Sequence, residues 1–245
     1  MNSMRGYYDV SATVFFPAFN DEMTIGSLVV EADKALRDKV SDYEIIVVND
    51  GSIDSTQEVL EELSTHYPQL RIIRHEKNRG YGAALISGFS GASKDVVFYT
   101  DGDGQYDVKE MMLLLDKFDN GVDVVNGYKI SRSDPLHRII IGNIYNFIVK
   151  RLFNLKLKDV DCDFRLIRTS VVQGLGLKSP SGVICVELVR KLESAGNSFR
   201  EVPVHHYFRA HGKSQFFNFR RVFDVGVGLI LLWFELVFMK AFKKK

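Results

Sequence analysis

The chain has 245 residues, of which 46% are hydrophobic and 26% are charged, and its formal net charge is +1. This composition excludes a disordered or fibrous chain. The near balance of 32 basic and 31 acidic side chains excludes a surface-wide field that would gather nucleic acid, so we predict no nucleic-acid partner. Cys162 and Cys185 match no disulfide framework or zinc motif and are predicted to be reduced thiols of a cytosolic protein.

The first half of the chain alternates short apolar runs with helical patterns. Buried strands that alternate with amphipathic helices indicate right-handed βαβ units, and hence an α/β fold with a mainly parallel sheet flanked by helices. Ligands of such sheets bind beyond the carboxyl ends of the strands, where Asp50, Asn78 and Asp101 lie. The predicted strands cover 10–16, 43–50, 70–76 and 95–101, and the helices cover 23–38, 52–67, 81–93 and 108–118.

The second half has a less regular order, with strands predicted at 122–128, 160–168 and 199–208 and a helix near 181–194. A basic amphipathic pattern at 136–153 fits a core helix with a solvated face and a helix in a membrane interface equally well. Since the sequence has no internal repeat or Pro-rich linker, we predict one domain at 1–218 followed by an appendage at 219–245.

Residues 222–239 are the most apolar stretch of the appendage, interrupted by Asp224 and Glu235 and flanked by basic residues on both sides. As a helix this stretch would be about 27 Å long, slightly short of the ~30 Å hydrocarbon core of a bilayer. We therefore predict a membrane-associated helix that lies in the interface or enters the bilayer shallowly, with a full crossing as the second membrane hypothesis. Packing as a core helix, or dimerisation, is the alternative. Residues 1–10 carry no apolar run of the kind found in a secretory signal.

The sharpest chemical motif is Asp101-Gly102-Asp103-Gly104-Gln105, directly after a buried strand. Two carboxylates one residue apart repel each other, and a divalent cation relieves that repulsion. In extended backbone Asp101, Asp103 and Gln105 share one face and converge on one ion. Oxygen ligands suit Mg²⁺ or Mn²⁺, with a substrate diphosphate and water completing the shell. An acidic turn held by Asx hydrogen bonds is the alternative.

Two further motifs indicate nucleotide chemistry. Asp50 precedes a glycine that permits close approach, so its carboxylate can accept from a base N–H, while Ser52 or Asp54 caps the next helix. The run 78–82 (NRGYG) leads into a helix of small residues whose N-terminus favours phosphate, although Asn-x-Gly is also an ordinary turn.

In this order the motifs resemble family 2 inverting glycosyltransferases of the GT-A fold. The matching segments are PAFND (17–21), VVNDGSIDST (47–56), NRGYGAA (78–84) and DGDGQ (101–105). The resemblance implies that Pro17, Phe19 and Asp21 line the nucleoside pocket, that Asp50 binds the base, and that Asp101 and Asp103 hold the metal. The family usually has Glu in place of Asp21, and Glu22 is expected to compensate.

The second half resembles polyprenyl-phosphate glycosyltransferases of the dolichol-phosphate mannosyltransferase type, in DVDCDFRLIR (159–168) and YFRAHGKSQF (207–216). The resemblance implies that Arg209 and Ser214 belong to a loop that closes over the diphosphate, where Arg209 offers a fork of donors to phosphate oxygens. An exposed loop cation is the alternative for Arg209. Arg138 resembles the arginine that receives the lipid phosphate, although Gly142 replaces the accompanying serine. Lys129 occupies a position that often holds arginine and is a candidate phosphate contact.

Asp161 and Asp163 have roles that depend on the acceptor. A hydroxyl acceptor needs a general base, whereas a phosphomonoester is largely dianionic at neutral pH and needs none. For a phosphate acceptor, Asp163 orients the acceptor or binds the sugar. A purely structural pairing of Asp163 with Arg165 or Arg168 is the alternative.

Together these patterns predict a metal-dependent, membrane-associated enzyme with its active site facing the cytoplasm. It would transfer one sugar from a UDP- or GDP-sugar to polyprenyl phosphate, with Asp103, Asp163 and Arg209 as the catalytic residues. Two other hypotheses remain: a family 2 enzyme that glycosylates a saccharide hydroxyl with Asp161 or Asp163 as the base, and a non-catalytic nucleotide-sugar-binding module. A homo-oligomer or a membrane-protein partner is compatible with all three.

Overall fold

A computed structural model describes residues 7–132, 136–209 and 219–239. Seven strands and eight α-helices follow one another in the described chain. The strands are β1 (Tyr8–Ala18), β2 (Val40–Asn49), β3 (Leu70–Arg74), β4 (Val96–Thr100), β5 (Val124–Arg132), β6 (Phe164–Arg168) and β7 (Phe199–His206). The helices are α1 (Ile25–Leu36), α2 (Thr56–His66), α3 (Tyr81–Gly91), α4 (Met111–Leu115), α5 (Leu136–Phe153), α6 (Thr169–Gln173), α7 (Ile184–Ser194) and α8 (Phe219–Trp233). A 3₁₀ turn at Val108–Glu110 precedes α4, and a π-helical turn at Phe234–Phe238 continues α8.

All seven strands form one sheet in the order β3-β2-β1-β4-β6-β5-β7. The pairs β1–β2, β1–β4, β2–β3 and β5–β7 are parallel. Strand β6 runs antiparallel to both of its neighbours, β4 and β5. The predicted mainly parallel sheet is confirmed, with the correction that β6 makes it a mixed sheet. Helix α6, which follows β6 directly, was not predicted.

Both faces of the sheet are buried, which explains why the strands are continuous apolar runs without polar alternation. On β1, Val14 and Phe16 join the core under α1, α2 and α4, while Phe15 joins the core under α3, α6 and α7. On the second face, Phe15, Phe89 and Tyr99 form a three-ring cluster with centroids 5.0 to 5.5 Å apart.

A third, smaller core lies between α5, α7 and α8. Val149 and Phe153 of α5 pack with Val186 of α7 and with Leu232 of α8. The indole Nε1 of Trp233 donates to the carbonyl oxygen of Leu152 at 3.0 Å. One side of α8 is therefore packed against the rest of the protein, as the core-helix alternative requires, while its other side is exposed.

No helix in the part of the chain that the structure describes has both the length and the apolar character needed to cross a membrane. A full crossing is also the weaker of the two membrane hypotheses that the sequence supports. Membrane contact would therefore involve the exposed outer faces of α5 and α8. The domain boundary at residue 218 stays a prediction.

Candidate functional site

The carboxyl ends of β1, β2 and β4 meet at one edge of the sheet, because the three strands are parallel neighbours. Ala18 pairs with Asn49 at the ends of β1 and β2, and Tyr99 of β4 pairs with Phe15 of β1. Three loops leave this edge, at 19–24, 50–55 and 101–107. The edge therefore collects the polar segments from which the sequence predicted a site.

Hydrogen bonds between their polar groups fasten the first two loops to each other. Four of the five bonds use a side-chain oxygen of the 50–56 segment or of Glu22 as the acceptor. They join Asn20 N to Ser52 Oγ (3.0 Å), Ile53 N to Asn20 Oδ1 (2.9 Å), Asp21 N to Thr56 Oγ1 (3.0 Å), Glu22 N to Asp54 Oδ2 (3.2 Å) and Ser55 N to Glu22 Oε2 (2.8 Å). Glu22 thus holds the start of α2, a structural role that differs from the expected compensation for Asp21.

Asp21, which is predicted to line the nucleoside pocket, contacts Phe19 and Arg209. Its Oδ2 accepts from the backbone N–H of Phe19 at 2.9 Å, and its Oδ1 is 3.4 Å from Nη2 of Arg209. Burial raises the pKa of Asp21 to about 6, and the negative charge of Asp103 adds to the rise. Pro17 lies beside the metal motif, since a Cβ at Gly102 would stand 2.6 Å from the Pro17 carbonyl oxygen.

Asp50 is buried, and both of its carboxylate oxygens accept hydrogen bonds. Oδ1 accepts from His75 Nδ1 (2.6 Å) and from the backbone N–H of Arg79 (2.9 Å), and Oδ2 accepts from the N–H of Gly80 (2.9 Å). The structure thus gives Asp50 a local task, which is to hold the 78–80 turn against the end of β2. Gly51 permits this contact, because its φ is +71° and a Cβ would lie 2.4 Å from the Lys77 carbonyl carbon. Base binding by Asp50, and substrate contact by Asn78 in the same turn, stay predictions.

Two N–H groups at the N-terminus of α3 already have a protein acceptor, which disfavours the phosphate binding expected there. The carbonyl oxygen of Pro180 accepts from Gly82 N at 2.9 Å and from Ala83 N at 3.3 Å. Glycine is needed at position 82 because a Cβ would lie 2.1 Å from the Ser179 carbonyl oxygen. The 178–180 segment is held in turn by the buried Glu187, whose carboxylate accepts from the N–H groups of Lys178 and Ser179.

Asp101 and Asp103 lie just beyond β4, where the sequence placed a metal site. The hydroxyl of Tyr81 donates to Asp101 Oδ1 at 2.7 Å. Burial and the negative charges of Asp163 and Asp103 raise the pKa of Asp101 well above its usual value. The pKa of Asp103 is also raised, mainly by burial, while Arg209 opposes the rise. Nη1 of Arg209 is 3.4 Å from Asp103 Oδ2, so one guanidinium lies against both Asp21 and Asp103.

Crowded carboxylates of this kind fit a hard divalent cation, since positive charge would relieve their mutual repulsion. Gln105 lies beside them: its backbone N–H donates to Asp103 Oδ1 at 3.1 Å, and its Nε2 donates to the Tyr207 carbonyl oxygen at 3.0 Å. Within the described ranges, no group of three or more His, Cys, Asp or Glu side chains converges as a complete metal site. A cation at Asp101 and Asp103 would therefore need oxygen ligands from substrate and water.

Asp163 belongs to a polar network centred on the fully buried Arg165. Nη1 of Arg165 is 3.2 Å from Asp163 Oδ1, and the guanidinium also donates to the Tyr99 hydroxyl, to Asn126 Oδ1 and to the Val160 carbonyl oxygen. The thiol of Cys185 lies 3.3 Å from Asp163 Oδ1. The predicted alternative of an ion pair between Asp163 and Arg165 is thus present, whereas Arg168 lies near Asp123 instead.

Lys129 of β5 contacts the segment that precedes β6, which contains Asp159 and Asp161. Nζ of Lys129 donates to the Asp161 carbonyl oxygen at 2.9 Å and is 3.7 Å from Asp159 Oδ2. Burial raises the pKa of Asp161 to about 6, although the positive charge of Lys129 opposes the rise. Lys129 therefore has protein partners in this structure, and its predicted phosphate contact stays a prediction.

The roles expected of Arg138 and Ser214 stay predictions. Arg138 lies in the first turn of α5, a different element from those that carry the acidic side chains. Ser214, together with the rest of the loop at 210–218, lies outside the described residues.

Three side chains that support the site were not predicted. Tyr99 donates to Asp163 Oδ1 at 3.3 Å, and spacing along the strand could have found it, because it lies two positions before Asp101 and therefore on the same face. Tyr81 and Glu187 act across the fold, and no local pattern indicates their partners. Tyr81 donates to Asp101, whereas Glu187 holds the 178–180 segment that contacts the start of α3.

Comparison with known proteins assigns the chain to a family. Residues 13–176 match the model of the family described as Glycosyl transferase family 2. An undecaprenyl-phosphate 4-deoxy-4-formamido-L-arabinose transferase of Pseudomonas fluorescens is 29% identical over 240 residues, which cover 96% of this chain and 66% of that protein. The transferase of the same name from Edwardsiella ictaluri is 29% identical over 210 residues, covering 83% of this chain and 62% of that one. The chain thus spans somewhat less than two thirds of the length of these relatives.

Solved structures confirm the predicted GT-A type of α/β fold. Glucosyl-3-phosphoglycerate synthase from Mycobacterium tuberculosis, crystallised with Mn²⁺, UDP and glucosyl-3-phosphoglycerate, superposes with a TM-score of 0.66. The match covers 92% of this chain and 79% of that one at 17% identity. At this identity the likeness concerns the fold.

The pKa of Asp161 leads to a prediction about stability. A carboxyl group whose pKa is raised by folding binds its proton more tightly in the native state, so its contribution to stability is lost as pH rises from about 4 to about 6. Asp161→Asn removes this loss. We compare the free energy of unfolding of the variant with that of the wild type, by urea unfolding at pH 4 and at pH 7.5. The difference in favour of the variant should be about 1–3 kcal/mol larger at pH 7.5 than at pH 4. Asp9→Asn, at an exposed position, is the control; an equal gain for Asp161→Asn at both pH values would contradict the prediction.

Proposed function

The chain belongs to glycosyl transferase family 2, and on that premise we propose that it transfers a sugar from a nucleoside-diphosphate sugar to a polyprenyl phosphate, with inversion. The observation that carries the proposal is the carboxylate pair Asp101 and Asp103 at the end of β4, with the Arg209 guanidinium 3.4 Å from Asp103. Acids that hold a cation, next to a donor for phosphate oxygens, are what departure of a nucleoside diphosphate requires.

The donor would lie along the joined 19–24 and 50–56 loops. Pro17, Phe19 and Asp21 would line the nucleoside pocket, and Arg209 would bind the diphosphate. An arginine beside a leaving diphosphate becomes more effective as negative charge develops there, so its interaction is strongest in the transition state.

Asp101, Asp103 and Gln105 would hold the divalent cation, Mg²⁺ or Mn²⁺. When bound, the cation supplies charge neutralisation for the leaving diphosphate. The fit rests on the chemistry of the donor set and on the raised pKa values of the two carboxyl groups. It is supported by the presence of Mn²⁺ and UDP with the mycobacterial synthase of the same fold.

The acceptor is proposed from the relatives, which are named undecaprenyl-phosphate transferases. A phosphate oxygen of the acceptor would attack the anomeric carbon while the bond from that carbon to the diphosphate oxygen breaks. Since a phosphomonoester is largely dianionic at neutral pH, no general base is needed. Contacts with Arg165, Tyr99 and Cys185 occupy Asp163, which favours an orienting role over that of a base and disfavours a saccharide hydroxyl as the acceptor.

Two helices supply a surface that fits a lipid acceptor, which we term the apolar platform. The platform consists of exposed apolar side chains on the outer faces of α5, of α8 and of the π-helical turn that continues α8: Leu136, Ile140, Ile144, Phe147, Ile148, Leu152, Phe223, Val227, Ile230, Leu231 and Phe234. Exposed apolar side chains at helical spacing, on two helices in contact, are typical of surfaces that bind a membrane or a partner. We propose that the platform lies in the membrane interface. The cytoplasmic orientation of the site, a homo-oligomer and a membrane-protein partner stay predictions.

A transfer assay with Mn²⁺, polyprenyl phosphate and radiolabelled UDP- and GDP-sugars tests the proposed reaction. Asp103→Asn should lower transfer roughly 100-fold or more, because one carboxylate binds the cation too weakly to keep the cation and its diphosphate in place. Asp107→Asn is the matched control, since Asp107 only caps the 3₁₀ turn through Lys109 N at 2.9 Å. Full activity of the wild type in excess EDTA would contradict metal dependence, and donor binding without any transfer would favour the binding-module hypothesis.

Loss of Arg209 is predicted to strengthen the binding of Mn²⁺ alone and to weaken the use of the nucleotide-sugar donor. Because its guanidinium lies against Asp21 and Asp103, it repels any cation there in the absence of nucleotide. Arg209→Ala should therefore bind Mn²⁺ alone about 3- to 10-fold more tightly, while kcat/KM for the donor falls about 10- to 100-fold. Calorimetric titration and steady-state kinetics measure the two effects. Arg209→Lys keeps the charge and should keep the wild-type Mn²⁺ affinity; weaker Mn²⁺ binding by Arg209→Ala would count against this arrangement.

Liposome flotation tests the membrane role of the platform. The full chain should float with vesicles of mixed anionic and zwitterionic phospholipid, and Phe147→Glu should lower its partition constant about tenfold or more. Phe147 is 71% exposed, so the substitution leaves the core intact. Leu113→Glu places the same charge on α4, at a position that is 42% exposed and away from the platform, and should float like the wild type. A full chain that stays in detergent-free buffer without floating would defeat the membrane proposal.

A further inference from the structure

Tyr81 makes a direct hydrogen bond to one of the two carboxylates at the end of β4. Its hydroxyl lies 2.7 Å from Asp101 Oδ1. A hydrogen bond to one oxygen of a carboxylate limits rotation of the whole group, so it also determines the direction of the second oxygen. Ligands of metal ions commonly depend on such outer partners for their orientation.

The backbone of Tyr81 is held on both sides. The preceding Gly80 donates its N–H to the buried Asp50, and the following Gly82 donates its N–H to the Pro180 carbonyl oxygen, both at 2.9 Å. The ring itself packs against the core between the sheet, α3 and α7. The hydroxyl therefore belongs to a rigid part of the fold, and Asp101 is the group whose orientation it determines.

The Pro180 contact gives this rigidity an anchor outside the site. Glu187 of α7 is 2% exposed, and its carboxylate accepts from the N–H groups of Lys178 and Ser179 at 3.0 and 2.8 Å. Its charge is balanced by Lys191, whose Nζ is 2.6 Å from Glu187 Oε1. The ion pair of Glu187 with Lys191 thus supports the 178–180 segment, and that segment holds the start of α3.

We propose that Tyr81 is a positioning residue that sets the orientation of Asp101 for the divalent cation. The inference rests on the proposed function, since it assumes that Asp101 is a metal ligand. It assigns Tyr81 no contact with the substrate. The cost of losing the hydroxyl should therefore fall on cation affinity and on kcat, with the KM for the lipid acceptor unchanged.

Tyr81→Phe tests the proposal, because it removes the hydroxyl and keeps the packed ring. Tyr43→Phe is the matched control: the Tyr43 hydroxyl donates to Asp33 Oδ1 at 2.6 Å, so this variant also loses one tyrosine–aspartate hydrogen bond, on the far side of the sheet. Mn²⁺ alone is titrated into the full-length wild type, Tyr81→Phe, Tyr43→Phe and Asp101→Asn. Calorimetry and the electron paramagnetic resonance signal of free Mn²⁺ report binding, and steady-state transfer is measured in parallel.

We expect Tyr81→Phe to weaken Mn²⁺ binding about tenfold, with Asp101→Asn weaker still and Tyr43→Phe equal to the wild type. Equal Mn²⁺ affinity of Tyr81→Phe and the wild type, with Asp101→Asn weakened, would overturn the role of Tyr81 and leave the proposed function intact. Equal losses in Tyr81→Phe and Tyr43→Phe would also overturn it, since they would indicate a general effect on the fold. A wild type that neither binds Mn²⁺ nor transfers sugar would refute the proposed function itself.

Discussion

Loss of hydration on burial, together with mutual repulsion, makes charge costly for the carboxylates at the edge of the sheet where β1 and β4 end and β6 begins. Burial raises the pKa of Asp21, Asp101 and Asp103, and charges among these three and Asp163 add to the rise. Most of the other polar features of this region compensate for that cost. Arg209 lies against two of the acids, Arg165 against a third, and hydroxyl or backbone N–H donors stabilise the charged forms. A bound cation would add the positive charge that the carboxylates still lack.

The fold of the first half could be predicted in detail, because its signals are local. Strands buried on both faces are continuous apolar runs, and the helices between them have amphipathic spacing. Since parallel strands end at one edge, the sequence alone was sufficient to place Asp50 and Asp101 near each other. The direction of β6 could not be predicted in this way, because an isolated five-residue strand carries no sign of whether its neighbours are parallel or antiparallel.

The candidate site was predictable in its residues and less so in its contacts. The acids of 101–105 follow a strand and were found from spacing, yet the start of α3 was expected to bind phosphate, and the Pro180 carbonyl oxygen occupies it. That partner lies far away in sequence, and nothing local to 78–84 indicates it. The same reason applies to Glu22, whose acceptor role depends on where Ser55 lies in the folded chain. Contacts across the fold decide such roles, and sequence patterns report only neighbours along the chain.

The contact between α5 and α8 has a consequence for fluorescence spectroscopy. Trp233 is the single tryptophan of the chain, and its indole N–H donates to the last turn of α5 at Leu152. Its ring also stands edge-on to Phe234, with centroids 5.8 Å apart. The intrinsic tryptophan fluorescence of this protein therefore originates at one contact, between the two helices that bear the apolar platform. The emission wavelength therefore reports whether α8 is packed against α5. Quenching by quenchers attached to lipids reports how deep this contact lies in a bilayer, and neither measurement needs a label.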